Sequence, residues 1–187
     1  MRNLWIVNQY AQEPSCSGGT RHYSLARHLD RHAWRSVIIA SSFAHNVGYQ
    51  RLQHKERKRF ESCHGVHFLW LKLPFESCVS KWRRLLNMIS FGLILLKPRV
   101  TRHLPKPDLV IGSTVHPFGA LAACLLARRH CVPFVFEVRD LWPSTLVAMG
   151  AINSGGIVER VLAFLERWLA RQASCIVVLM PGGLDYY

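Results

Sequence analysis

The chain has 187 residues, half of them hydrophobic, which excludes a disordered tail and is enough for one α/β domain with a sizeable core. Lys and Arg number 24 against 11 acids, a formal charge of +13, so an acidic partner is expected: nucleic acid, an anionic membrane surface or a phosphorylated substrate. Six cysteines, at 16, 63, 78, 124, 131 and 175, include no C-x-x-C pair, and zinc or thioredoxin-type sites fail on spacing. Cys124 and Cys175 lie in apolar runs and are expected to be small core residues. No secretory signal opens the sequence, so a reducing cytoplasm is the expected compartment.

In chain order, NLWIVN (3–8) reads as a buried strand, and 9–19 as a loop rich in Pro, Ser and Gly. Residues 20–32 have helical periodicity, with Tyr23, Leu25, Ala26 and Leu29 on roughly one face. RSVIIASS (35–42) is a second strand, 43–64 a polar basic stretch without period, and VHFLWLKL (66–73) a third strand. A helix is expected over 80–97, with Trp82, Leu85, Leu86, Ile89 and Leu93 facing one way. DLVIGS (108–113) is a fourth strand, and 116–130 a helix with Pro117 near its first position. PFVFEV (133–138) is a fifth strand, followed by a short helix beginning near Pro143. Residues 156–173 form a helix with Val158, Val161, Leu162, Leu165 and Leu169 inward, and CIVVLM (175–180) is a sixth strand. Alternating helices and doubly apolar strands predict an α/β fold: a single Rossmann-like, doubly wound parallel sheet whose ligands bind at the carboxyl ends of the strands.

Half of the basic residues fall in two segments. RLQHKERKRF (51–60) carries five, and Lys81 to Lys106 carries seven with no acid. The segment LLNMISFGLILL (85–96) has only 12 residues, short of the ~20 that a membrane span needs. An apolar face with Lys81, Trp82, Arg83 and Arg84 at one end suits an amphipathic helix lying on an anionic bilayer; the ordinary alternative is a solvated charge run. No stacking platform or recognised module supports nucleic-acid binding.

Three strand ends carry candidate chemistry. After the first strand, SCSGGTR places Gly18 and Gly19 where the backbone can approach a ligand, with Thr20 and Arg21 opening a helix whose free N–H groups suit an anion. The pattern is neither G-x-G-x-x-G nor G-x-x-x-x-G-K, and a simple tight turn is the alternative. After the fourth strand, STVHPF presents His116, either a sugar-hydroxyl or charge-stabilising contact or a helix cap pointing to solvent. After the fifth, EVRDLWP places Glu137 and Arg139 on one face and Asp140 on the other or as a helix cap. A structural Glu137–Arg139 ion pair is the alternative to function there.

Together, LWIVNQYAQEPSCSGGTRHYSLARHL, VIIASSFAHN, LPKPDLVIGSTVHPFGALAA and VPFVFEVRDLWPSTLVAMGAI resemble the N-terminal, acceptor-side domain of bacterial family 4 glycosyltransferases, and are similar to the N-acetylfucosaminyl transferases of O-antigen and capsule synthesis. The likeness runs along nearly the whole chain and is weakest at 46–64. It implies half of a GT-B fold and a retaining transfer from a nucleotide-sugar, without metal or other cofactor, to a lipid-linked saccharide at the inner membrane. It implies that Gly18 and Gly19 approach the donor diphosphate, that His116 contacts the sugar at the reaction centre, and that Glu137, Arg139 and Asp140 line the cleft. Asp140 is carried with His116 as a catalytic candidate, and Thr20 and Arg21 as substrate or phosphate contacts. The family's second Rossmann domain, with its Glu-x7-Glu motif, has no counterpart in residues 1–187; the alternatives are a truncated gene product, an incomplete sequence, or the first half of a split enzyme whose partner is a separate C-terminal donor-binding domain, and the chain alone is expected to turn over poorly or not at all. The competing expectations are a non-catalytic membrane-peripheral module and, behind it, a basic nucleic-acid binder.

Overall fold

The computed structural model describes residues 1–16, 18–29, 33–45, 47–75, 80–179 and 182–186. In chain order the elements are β1 (Arg2–Val7), α1 (Arg21–His28), β2 (Trp34–Ser41), the small hairpin of β3 (Phe43–Ala44) and β4 (Tyr49–Gln50), β5 (Lys58–Cys63), β6 (Val66–Leu71), α2 (Lys81–Leu95), α3 (Pro98–Thr101), β7 (Leu109–Ser113), α4 (Pro117–His130), β8 (Phe134–Val138), α5 (Ser144–Ala148), α6 (Ile157–Gln172), β9 (Cys175–Val178) and α7 (Gly183–Tyr186). Seven strands form one sheet in the order β5-β6-β2-β1-β7-β8-β9. All neighbours are parallel except β5, which runs antiparallel to β6 on the edge.

Side chains alternate across each strand, and both faces are covered. Trp5, Val7, Val37, Ile39, Leu69 and Phe136 pack beneath α2, α4 and α6 through Phe91, Leu95, Leu126 and Leu169. Leu4, Ile6, Ile38, Phe68 and Trp70 pack beneath α1 through Tyr23 and Ala26. This is the doubly wound α/β arrangement expected from the apolar runs, with the strand ends of β1, β7 and β8 adjacent.

Several expectations are corrected. The polar segment 43–64 contains the β3–β4 hairpin and the strand β5. KRFESC has little apolar period because this edge strand buries none of its residues fully: Phe60 and Ser62 are exposed and the other four are half-buried. On α2 the expected apolar face is uncovered rather than overturned: Trp82, Leu86 and Leu93 are exposed and Leu85 and Ile89 half-buried, while Asn87, Met88, Phe91, Gly92 and Leu95 face the core. On α6, Val158 and Val161 are exposed rather than inward; Glu166 and Leu169 are its buried residues. Leu25 of α1 is also exposed. Cys124 is buried in the core as expected, but Cys175 is exposed. The expectations for Cys78, for the end of the first helix at 30–32 and for the last residue of the sixth strand fall outside the described residues.

Candidate functional site at the strand ends

Glu137, near the end of β8, is 2% exposed. A buried carboxylate is costly unless it is paired and hydrogen-bonded, and Glu137 finds both partners at the start of α1. Arg21 donates from Nε at 3.0 Å and lies 2.9 Å away through Nη2, both to Oε1. His22, wholly buried, bonds Oε2 through Nε2 at 2.6 Å. The Glu137–Arg139 pair allowed by strand parity does not form: Arg139 is half-buried, and Arg21 and His22 take both carboxylate oxygens.

The imidazole is oriented from its other side by Asn8, just beyond β1. Asn8 Oδ1 accepts the Tyr10 N–H at 2.9 Å, so its amide nitrogen faces His22 Nδ1, also at 2.9 Å. The network assigns Nδ1 as the acceptor and leaves the proton on Nε2, where it is donated to Glu137. Burial by itself would raise the Glu137 carboxyl, but the hydrogen bonds from His22 and Arg21 outweigh it and hold the group at about 2. Glu137 is therefore ionised at any physiological pH. It works as an anchor for Arg21, whose side chain stays 45% exposed, rather than as a proton donor.

The glycine loop is shaped by close approach. Gly19 has φ +68°, and a Cβ there would stand 2.5 Å from the Tyr10 carbonyl oxygen; the Gly19 carbonyl accepts the Gln12 N–H at 3.1 Å. Gly18 is exposed with φ 76°. Thr20 stands at the N-cap of α1 without a side-chain cap bond. The base of the loop is held by Arg51, the first residue of the basic stretch 51–60. It is buried, stacks over Trp70 at 4.3 Å, and donates to Gln12 Oε1 at 2.6 Å and Glu13 Oε1 at 2.7 Å. Burial raises the Glu13 carboxyl, and the bonds from Arg51 and Ser15 bring it below its ordinary value.

His116 caps α4. Its Nδ1 accepts the Gly119 N–H at 3.2 Å, yet the residue is fully buried instead of pointing to solvent. The rings of Tyr10, Phe91 and Phe118 surround it at 6.0–6.2 Å between centroids. Burial, reinforced by the positive charge of Arg84, pushes its pKa down to about 3. The ring is thus neutral at pH 7 with Nε2–H as a donor, and that nitrogen has no hydrogen-bond partner among the described residues. Thr114 ties this strand end to the next: its N–H and hydroxyl donate to the Glu137 carbonyl, and its hydroxyl accepts the Arg139 N–H. Asp140 is exposed on the rim. It does not cap α5, whose N-cap is Pro143.

The fold thus gathers Gly18, Gly19, Thr20, Arg21 and Glu137 at one corner, with His116, Arg139 and Asp140 on the neighbouring strand ends. Lys81, Trp82, Arg83 and Arg84 are all exposed at the start of α2. Asn8 and His22 were missed by sequence reasoning. Their signal was the pairing of the motif NQY at the first strand end with the His that follows Arg21, in register with a Glu in an otherwise apolar strand. Among the described residues no group of three His, Cys, Asp or Glu side chains could hold a metal ion, and no helix is long and apolar enough to cross a membrane.

Residues 18–187 match the family model of the glycosyl transferase 4-like domain. No curated protein matches the chain. Among solved structures it is similar to the catalytic domain of starch synthase IV from Arabidopsis thaliana bound to ADP and acarbose, with a TM-score of 0.52 and 13% identity. The match covers 74% of this chain and 34% of that one, so this chain spans about a third of that structure. That likeness concerns the fold, and agrees with the Rossmann-like half of a GT-B glycosyltransferase.

Proposed function

Since the chain belongs to the glycosyl transferase 4-like family, we propose that it is the acceptor-side part of a retaining glycosyltransferase, moving a sugar from a nucleotide-sugar to a lipid-linked saccharide in O-antigen or capsule synthesis, of the kind made by N-acetylfucosaminyl transferases. The observation that carries this reading is the clamp of Glu137 on Arg21 and His22 beside the Gly18–Gly19 loop. A cation pinned by a buried carboxylate next to a helix start is suited to a phosphate group.

In this reading the bond from the sugar's anomeric carbon to the diphosphate breaks. A bond to the acceptor hydroxyl oxygen forms on the same face, and the leaving diphosphate takes the hydroxyl proton. Arg21, Thr20 and the loop N–H groups meet the developing charge, with no metal ion and no other cofactor taking part. His116, neutral, donates from Nε2 toward the sugar, and Asp140 and Arg139 on the rim meet the acceptor. A donor-binding domain completes the cleft, because transfer needs groups positioned from both sides. Lys81, Trp82, Arg83 and Arg84 rest on the anionic cytoplasmic surface of the inner membrane, where a lipid-linked acceptor is found.

The test uses the complete gene product, membranes carrying lipid-linked saccharide and a panel of labelled nucleotide-sugars. Label should enter the lipid fraction with one donor, and Arg21→Ala should lower kcat/KM by about a hundredfold, the scale of a lost charge-stabilising donor. Absence of transfer from every donor by a folded protein overturns the assignment. The second reading, a membrane-peripheral module without transfer, is favoured by the solvent-facing stripe of Trp82, Leu86 and Leu93; it predicts vesicle binding with all label left in the donor.

A further inference from the structure

The first two turns of α6 are apolar and uncovered. Ile157, Val161 and Phe164 recur at i, i+4 and i+7 and are 81%, 59% and 68% exposed, with Val158 beside them at 56%. The same stripe continues to Trp168, which packs on the core, so α6 is seated by its C-terminal half against α4 and β8 and carries its N-terminal half into the open. Single exposed apolar residues are ordinary; a contiguous set is not.

This overhang adjoins α2. Lys81, Trp82 and Leu85 line one side of a groove of about 650 Å³, and Ile152, Ile157 and Val158 the other. Both helix starts follow parallel strands and lie at the carboxyl edge of the sheet, on the same face as α4 and His116.

Resting on the membrane reading above, we infer that the N-terminal half of α6 is a second bilayer contact: Ile157, Val158, Val161 and Phe164 enter an anionic lipid surface beside Trp82, so the chain docks by two helices. Charge complementarity selects lipid as the occupant. Lys81 lines the groove, Arg83 and Arg84 are exposed on the same first turn of α2, and no acid occurs from 81 to 106. The acid on the overhang, Glu159, accepts the Gly155 N–H at the helix start. Apolar side chains flanked by exposed cations are what the interface of an anionic bilayer accepts. Two contacts on one face fix the tilt of the sheet as well as its distance from the membrane, and so hold the strand-end cleft toward an acceptor anchored in the same surface.

The test is sedimentation of the chain with vesicles of phosphatidylcholine alone or mixed with phosphatidylglycerol, for wild type, Ile157→Ser/Phe164→Ser and Trp82→Ser. The α6 pair should weaken binding to the anionic vesicles about tenfold or more, since two large apolar groups are withdrawn from the interface, with circular dichroism and Tm retained. A second pair, Val158→Ser/Val161→Ser, repeats the measurement should the first pair melt early. Wild-type binding lost in Trp82→Ser but unchanged in both α6 pairs overturns the α6 contact and leaves the α2 reading standing. A wild type that ignores anionic vesicles, or covers the face by self-association, overturns both.

Discussion

His116 offers a direct measure of how the strand-end site is built. The ring is buried and neutral, with a pKa near 3 against an ordinary value of 6.5. Between those two values the unfolded chain binds a proton that the folded chain refuses, so stability falls as the pH drops from 6.5 toward 3. From about pH 7 to about pH 5 the linkage amounts to about 2 kcal/mol, a substantial part of the 5–15 kcal/mol typical of a domain. His116→Asn keeps an acceptor for the Gly119 N–H, because Asn is a good N-cap, and removes the titrating group. Losing the ring among Tyr10, Phe91 and Phe118 lowers stability at every pH by a similar amount; the pH dependence is what changes. Urea unfolding followed by tryptophan fluorescence at the two pH values gives the comparison. The wild type should lose about 2 kcal/mol more than the variant on acidification. The other depressed histidines, His45, His67, His103 and His130, remain in both proteins and cancel. Parallel losses in the two would refute the buried neutral imidazole, and with it the description of His116 as a neutral donor.

Glu137→Gln leaves Arg21 and His22 without their anion and should cost about 3–5 kcal/mol, as for a broken buried pair; amide hydrogen exchange should rise first across residues 21–28. The same carboxylate adds acid sensitivity of its own. Held near 2 against 4.5, it supplies stability present above pH 4.5 that is lost toward pH 2, and the variant should show a flatter limb in that range. Gly19→Ala places a methyl against the Tyr10 carbonyl at a positive φ and should lower Tm by several degrees, whereas Gly150→Ala, with φ +65° and nothing within 4 Å, should lower it less; equal shifts would show that backbone strain alone matters. Arg51→Met buries Glu13 unpaired, and a loss of about 2–4 kcal/mol is expected, measured by urea denaturation; a neutral result would mean the loop base needs no anchor.

Much of the fold was legible because burial imposes periods on a sequence. A strand covered on both faces must be apolar throughout, as in LWIV, VIIA and FVF, and the helices between such strands follow from the same rule. Where coverage is partial, the rule weakens. β5 is hard to read because one side of it meets solvent, and the first half of α6 reads as inward because periodicity identifies an apolar face without saying what it faces. The motif residues at 18–21, 116 and 137–140 could be placed at strand ends from the alternation of elements alone. Their partners could not. Glu137 joins residues 115 and 116 positions away, and Arg51 reaches back to Gln12 and Glu13 across the sheet edge. The sequence by itself determined the alternation of strands and helices, because that depends on local spacing. Only the tertiary structure decided which charge meets which, because a buried carboxylate is satisfied by whatever cation the strand order brings beside it.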